Sequence, residues 1–334
     1  MRPDGASSTG DGQAFAASVI IPLFNKAPFV RRTLESVLAQ SCPAAEVVIV
    51  DDGSTDDSVE RIQDLLGPQV RLVRKRNGGP GPARNRGVAE ASSEWIAFLD
   101  GDDIWMPNHL ATLRDLAHFL PEADVLATSF ERRTAAWIGV APTCADRGDN
   151  AQMYDLFSDF GAVPRLWTSC TAVRRAVISK SGGFGDFFPG EDFELWARLA
   201  LDHQIAVSSR TTAIYLRETG GLMDQFESGP SPGITKQPIF DTLDRALSTA
   251  EYRSCYPAIS KYRQHLLTSI VRQALYRGDR KAARHHLDEL AHFGSMRLGI
   301  LRLISWLPHR VLRAGIRIRN TCRAGLPRCA PSTE

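Results

Sequence analysis

The sequence predicts an α/β fold, a mostly parallel sheet flanked by helices, on three observations. Short β-branched runs recur from Ser18 onward, each is followed by a stretch with helical spacing, and the runs are apolar throughout, as strands covered on both faces must be. Residues 18–22 form the first run, residues 29–40 place Phe29, Val30, Leu34, Val37 and Leu38 on one stripe, and residues 46–50 complete a βαβ unit. Ser54-Thr55-Asp56-Asp57 offers N-cap and first-turn carboxylates for a helix to about Leu66. Strands are predicted at 70–74 and 95–99 around a helix over 82–91, then a helix opened by Pro107 and carrying Leu110, Leu113, Ala117 and Leu120, and a strand at 124–130. Periodicity weakens over 134–164, which reads as loop-rich cleft material. A strand at 167–175 runs into Gly182-Gly183, a helix covers 191–201, and closing strands are expected at 205–207 and 213–216.

A hydrophobic share of 43% in 334 residues supplies a core and excludes a disordered or fibrous chain. The formal charge of +2 is a cancellation: residues 1–260 carry −9 and residues 261–334 carry +11. Such asymmetry points to a basic tail with an anionic partner. Residues 296–320 interleave Trp306, leucines and isoleucines with arginines, the pattern of a basic amphipathic segment, either on an anionic membrane surface or packed on the domain. Nucleic acid is not an expected partner, because the basic residues come without a recognised fold or aromatic platform. The six cysteines show no C-x-x-C pair, so neither a disulfide framework nor a zinc site is expected. The first residues lack an apolar signal core, and no run of about 18 apolar residues spans a bilayer. A cytoplasmic protein, peripheral on the inner membrane face, fits these features. The expected organisation is a flexible N-terminus (1–16), the α/β domain (17–220), a linker (221–238), a helical extension (239–294) and the basic tail (295–334).

In open α/β sheets ligands bind outside the carboxyl ends of the strands. Here those ends are acidic: Asp51-Asp52 follows one predicted strand and Asp100-Gly101-Asp102-Asp103 another. Crowded carboxylates repel, and a divalent cation or a polar ligand relieves them. Simple helix capping accounts for Asp56 and Asp57 but poorly for the Asp100–Asp103 cluster.

Residues 19–25 (VIIPLFN), 50–56 (VDDGSTD), 77–87 (NGGPGPARNRG) and 98–103 (FLDGDD), in this order and strand context, resemble the nucleotide-sugar domain of family 2 glycosyltransferases, of the GT-A fold. Residues 168–175, 182–184 and 190–196 (GEDFELW) resemble the acceptor half, so the likeness covers about 17–217. The resemblance implies a GT-A-like domain moving one sugar from a nucleoside-diphosphate sugar, UDP-linked, to a hydroxyl of a glycan or lipid-linked acceptor. It implies that Pro22 and Phe24 line the nucleobase slot, with Asp51 beside them and Asp52 accepting from a base N–H. Asp100 would face ribose and metal, Asp102 would hold Mg²⁺ or Mn²⁺ against the diphosphate, and Arg84 would stand near the phosphates or pack its helix. Asp192 is the candidate general base, in an inverting single displacement, its ionised form favoured by the start of a helix, although a plain N-cap is the alternative. Glu191 is expected to orient loop groups, and Trp196 to border the acceptor site or fill the core. The sequence departs from the family in carrying Arg217 and no His after the last core strand. Two rival functions remain: a haloacid dehalogenase-like phosphatase using Asp100 and Asp102, and a catalytically degenerate, membrane-associated binding module. A dehydrogenase is disfavoured because no G-x-G-x-x-G follows the first strand.

Overall fold

The computed structural model describes residues 15–136, 151–160, 166–220 and 238–291. The chain divides into two units, Met1–Thr219 and Gly220–Glu334. The first is built on a nine-stranded sheet ordered β3-β2-β1-β4-β8-β6-β9-β5, with β7 on the side of β9. Its strands are β1 (Ala17–Leu23), β2 (Glu46–Asp51), β3 (Val70–Arg74), β4 (Trp95–Phe98), β5 (Ile104–Trp105), β6 (Val125–Thr134), β7 (Gln152–Met153), β8 (Thr171–Arg174) and β9 (Ile205–Arg217). The helices are α1 (Val30–Leu38), α2 (Pro80–Glu90), α3 (His109–Phe119), α4 (Leu156–Asp159), α5 (Arg175–Lys180) and α6 (Glu191–Asp202).

The apolar runs behave as expected. In β1 only Pro22 escapes full burial, and α1 turns Val30, Thr33, Leu34 and Val37 inward at helical spacing. Val19, Ile21, Leu34, Val47, Ile49 and Leu110 share one core. The first four strands, β3-β2-β1-β4, are parallel, and β8 then enters antiparallel to β4. Strand β6 runs antiparallel to β8, and β9 parallel to β6. This alternation decides what meets at one rim. The carboxyl ends of β1, β2, β4 and β9 come together there, and so does the start of the reversed β8.

Three local expectations change. No α-helix covers 54–66: the segment folds only as a 3₁₀ turn at Glu60–Leu65, because Asp56 accepts from Ser58 N (3.1 Å) and reaches across to Ala27 N (3.1 Å) instead of capping a helix. The two closing strands are one, Ile205–Arg217, which keeps its pairing with β6 through register shifts beside Ser129. The strand expected from 167 is delayed by a 3₁₀ turn at Thr168–Cys170, whose hydroxyls serve the rim.

Among the described residues of the second unit, taken by itself, three α-helices, α7 (Pro238–Ser248), α8 (Tyr256–Arg277) and α9 (Arg280–Ala291), bury Leu243, Ile259, Leu267, Val271 and Leu287. Gly278, at φ +84°, ends α8 in the left-handed conformation, and Asp279 accepts from Ala282 N (3.0 Å) to start α9. The basic segment 296–320 and the stretch 221–237 lie outside the described residues. Among the described residues no helix is long and apolar enough to cross a membrane, and Cys42, Cys170 and Cys255 are free thiols.

Candidate functional site

The buried strand β4 delivers Asp100–Asp103 to the rim as a turn closed by Asp103 N on Asp100 O (3.0 Å). Thr33 of α1 pins the turn from below through the carbonyls of Gly101 (3.2 Å) and Asp103 (2.8 Å). Asp103 points inward, 1% exposed, and accepts from Ser169 Oγ (2.5 Å) and Leu216 N (3.1 Å). Burial, and then the charges of Asp102 and Asp100, push its pKa well above the ordinary carboxylate value. It is therefore an anchor and not a third cluster ligand. Asp100 and Asp102 keep partial exposure, with side chains 25% and 16% accessible.

Arg84 links this loop to α6. Gly81 and Gly87 let α2 come close: a β-carbon at Gly81 would stand 2.3 Å from Gly185 O, and one at Gly87 would stand 2.2 Å from Ile20 Cγ2. Between them Arg84, 4% exposed, donates to Asp100 Oδ1 (2.6 Å) and to Glu191 Oε1 (2.9 Å), with its guanidinium 5.1 Å from the centre of the Phe184 ring. Burial opposes a charge on Arg84, but Asp100 and Glu191 outweigh it and hold the guanidinium above its usual pKa. Arg84 is thus a buried bridge between α2, the acidic loop and α6.

Helix α6 opens after Gly190, whose φ of +101° suits a residue without a β-carbon. Asp192, in its first turn, accepts from Thr168 Oγ1 (3.1 Å) and Phe193 N (2.8 Å) and is half-buried. The helix start was expected to favour its ionised form, yet burial dominates and raises its pKa, with Arg84 pulling the other way. Glu191 is raised by the same desolvation, again opposed by Arg84. A proton acceptor of raised pKa is better matched to neutral chemistry than an ordinary carboxylate.

At the other strand ends, Pro22 is half-buried and Phe24 is 37% exposed, which leaves an aromatic face open at the end of β1. Asp52, expected to accept from a base N–H, is 3% exposed. Its oxygens accept from Gly78 N (3.0 Å), Gly79 N (2.7 Å) and Lys75 Nζ, because the glycine loop needs partners for its amides. Asp51 holds its own turn through Ser54 N (2.9 Å). Trp196 is a core aromatic, 2% exposed and edge-on to Phe184 at 5.9 Å, so it backs the site wall.

Lys26 and Thr219 were not foreseen. Both reach Asp102 Oδ2, Lys26 through its ammonium and Thr219 Oγ1 at 2.6 Å. No spacing in the sequence ties positions 26 and 219 to 102; the return of β9 to this rim does. Hard carboxylate oxygens such as those of Asp100 and Asp102 are the ligand type that Mg²⁺ or Mn²⁺ takes, and Asp102 Oδ2 is paired here with the Lys26 ammonium.

Glycosyl transferase family 2 matches residues 18–182. The chain belongs to this family. It is 42% identical over 102 residues, 30% of each chain, to Uncharacterized glycosyltransferase YibD of Escherichia coli K12. It is 27% identical over 238 residues to Uncharacterized glycosyltransferase RT0329 of Rickettsia typhi, covering 66% of this chain and 73% of the relative. It is 39% identical over 99 residues to the succinoglycan biosynthesis protein ExoW of Rhizobium meliloti, covering 28% of this chain and 31% of the relative. The chain thus spans under a third of the length of two of these relatives. The crystal structure of S. aureus TarS 1–349 in complex with UDP-GlcNAc superposes with a TM-score of 0.63 at 19% identity, covering 86% of this chain and 83% of that one, which establishes a shared fold. The GT-A-like α/β class expected of a family 2 glycosyltransferase is the one observed. Neither the phosphatase nor the binding-module alternative is favoured by these matches.

Proposed function

We propose that this family 2 glycosyltransferase moves a single sugar from a UDP-linked donor to a hydroxyl of a glycan or lipid-linked acceptor in polysaccharide biosynthesis. One observation carries it: Arg84 joins Asp100 on the donor rim to Glu191, the neighbour of Asp192, so the groups for leaving-group and acceptor chemistry meet around one side chain. The UDP-GlcNAc complex of TarS and the succinoglycan role in the name of ExoW support the donor and acceptor classes.

In the proposed step the acceptor oxygen attacks the anomeric carbon, the bond from that carbon to the diphosphate oxygen breaks, and the nucleoside diphosphate leaves with the electron pair. Asp192 takes the acceptor proton while Thr168 fixes its other oxygen, and the configuration inverts. Phe24 and Pro22 flank the base, and Asp52 keeps the glycine loop in place behind it. Mg²⁺ or Mn²⁺, held by Asp102 with Asp100 beside it, would supply positive charge to the departing diphosphate. Asp192→Asn keeps the shape and removes the proton acceptor, so turnover should fall about 10²- to 10⁴-fold with donor affinity little changed. A parallel loss of donor affinity, or a product of retained configuration by proton NMR, refutes the mechanism.

The −9 and +11 charge imbalance supports an anionic membrane face as the workplace of the basic tail. Co-sedimentation with anionic vesicles, full chain against a form ending at Gly294, tests this; equal pelleting sinks it.

A further inference from the structure

The residue that meets Asp102 is held with unusual care. Asn25 adopts φ +51°, a left-handed backbone rare for a side chain, and the chain around it is tied down on every side. Asn25 N donates to Ser54 Oγ (3.1 Å), Thr55 N donates to Asn25 Oδ1 (2.8 Å), and Lys26 N donates to Ser58 Oγ (2.7 Å). The Lys26 carbonyl accepts from Phe29 N and Val30 N, both at 2.9 Å. From this fixed point the Lys26 side chain runs beside Gly101, where a β-carbon would stand 3.6 Å from Lys26 Cγ, to the Asp102 carboxylate. Thr219 Oγ1 completes the contact from the end of β9, 3.4 Å from Lys26 Nζ. With its side chain 15% exposed, the ammonium has given up most of its water for this pair, and such an arrangement is not a chance surface contact.

We propose that Lys26 is a built-in placeholder cation, a positioning residue that occupies the metal-facing oxygen of Asp102 until a nucleoside diphosphate arrives. The inference rests on the donor reading above and deepens it. A free divalent ion meets Asp102 already neutralised, so it must displace an ammonium whose only compensation is water. With a diphosphate present, the displaced ammonium has new anionic oxygens to pair with, and the exchange becomes favourable. Metal and nucleotide therefore enter together, and the empty enzyme does not collect cations. The lysine is matched to this role, since a compact charge on a flexible stem can swing where a guanidinium fork would stay.

The test is Mn²⁺ binding, read by the loss of the free-ion EPR signal, with and without UDP, on the full chain and on Lys26→Met and Lys26→Arg. Wild type should bind Mn²⁺ weakly alone and much more tightly with UDP. Lys26→Met should bind Mn²⁺ alone on the order of tenfold more tightly than wild type, the scale of a partly buried ion pair, and should gain less from UDP. Lys26→Arg, which keeps the charge, should leave binding of Mn²⁺ alone weak. Equal affinity for Mn²⁺ alone in wild type and Lys26→Met, with UDP-dependent binding intact in both, overturns the placeholder and leaves the donor reading standing. Absence of UDP-dependent Mn²⁺ binding in wild type overturns both. Circular dichroism at each variant's working temperature separates these outcomes from a failure to fold.

Discussion

Replacing Arg84 with Met keeps the length of the side chain and removes its charge. The Arg84 side chain is 5% exposed, that of Glu191 4% and that of Asp100 25%. Truncating one partner of a buried pair costs about 3–5 kcal/mol because the other is left uncompensated. Asp100 keeps some access to water, so the lower end, about 3 kcal/mol, is expected, or roughly 6–12 °C in melting temperature for a unit of this size. The loss should also depend on pH. Burial already raises Glu191 and Asp192, with Arg84 opposing it, so without Arg84 both rise further. A carboxyl whose folded pKa lies above its unfolded value stabilises at low pH, and this contribution fades as pH rises through the folded value. The deficit of Arg84→Met against wild type should therefore shrink between about pH 7 and pH 5. Urea unfolding at both values, followed by tryptophan fluorescence, measures it. A deficit under about 1 kcal/mol at pH 7, or one equal at the two pH values, refutes the electrostatic bridge and reduces Arg84 to packing.

Asp102→Ala should abolish Mn²⁺-dependent thermal stabilisation by uridine diphosphate; unchanged metal-dependent binding by calorimetry removes Asp102 from the cation site. His109 is fully buried, donates to or accepts from Thr212 Oγ1 at 2.7 Å, and is depressed by burial to about 3. Its neutral form is the folded one, so stability should fall by about 1.4 kcal/mol per pH unit between about pH 6.5 and about pH 3, a slope that His109→Gln should flatten in pH-dependent urea titrations. Gly87→Ala places a methyl 2.2 Å from Ile20 Cγ2 and should cost about 1–3 kcal/mol despite the better helix propensity of alanine. A more stable Gly87→Ala protein shows that α2 does not rest on β1 as closely as described.

The strands and the acidic positions at their ends were legible because burial and period are written locally in runs such as VIIPL and EVVIV. Which of two adjacent carboxylates turns inward was not. Asp102 and Asp103 are alike in sequence, and only the arrival of Ser169 from the turn before β8 and of Leu216 from β9 selects Asp103 as the buried one. Lys26 and Thr219 escaped for the same reason, since β9 had to be placed in the sheet before they could be neighbours. The direction of the shift at Asp192 was misjudged because a helix start is visible in sequence, whereas the desolvation that outweighs it comes from packing.

The inward turn of Asp103 sets a condition on anyone who would transplant this acidic loop. Moving residues 100–103 into another scaffold carries the carboxylates but not the hydroxyl of Ser169, the amide of Leu216 or the hydroxyl of Thr33 that fix their register. A graft of the loop alone would leave Asp103 free to turn to solvent beside Asp102, adding a second exposed carboxylate to the loop. The smallest transferable part is therefore a patchwork drawn from α1, β4, the turn before β8 and the end of β9, and a library that diversifies the loop while holding those distant positions constant should retain far more working members than one that varies them together.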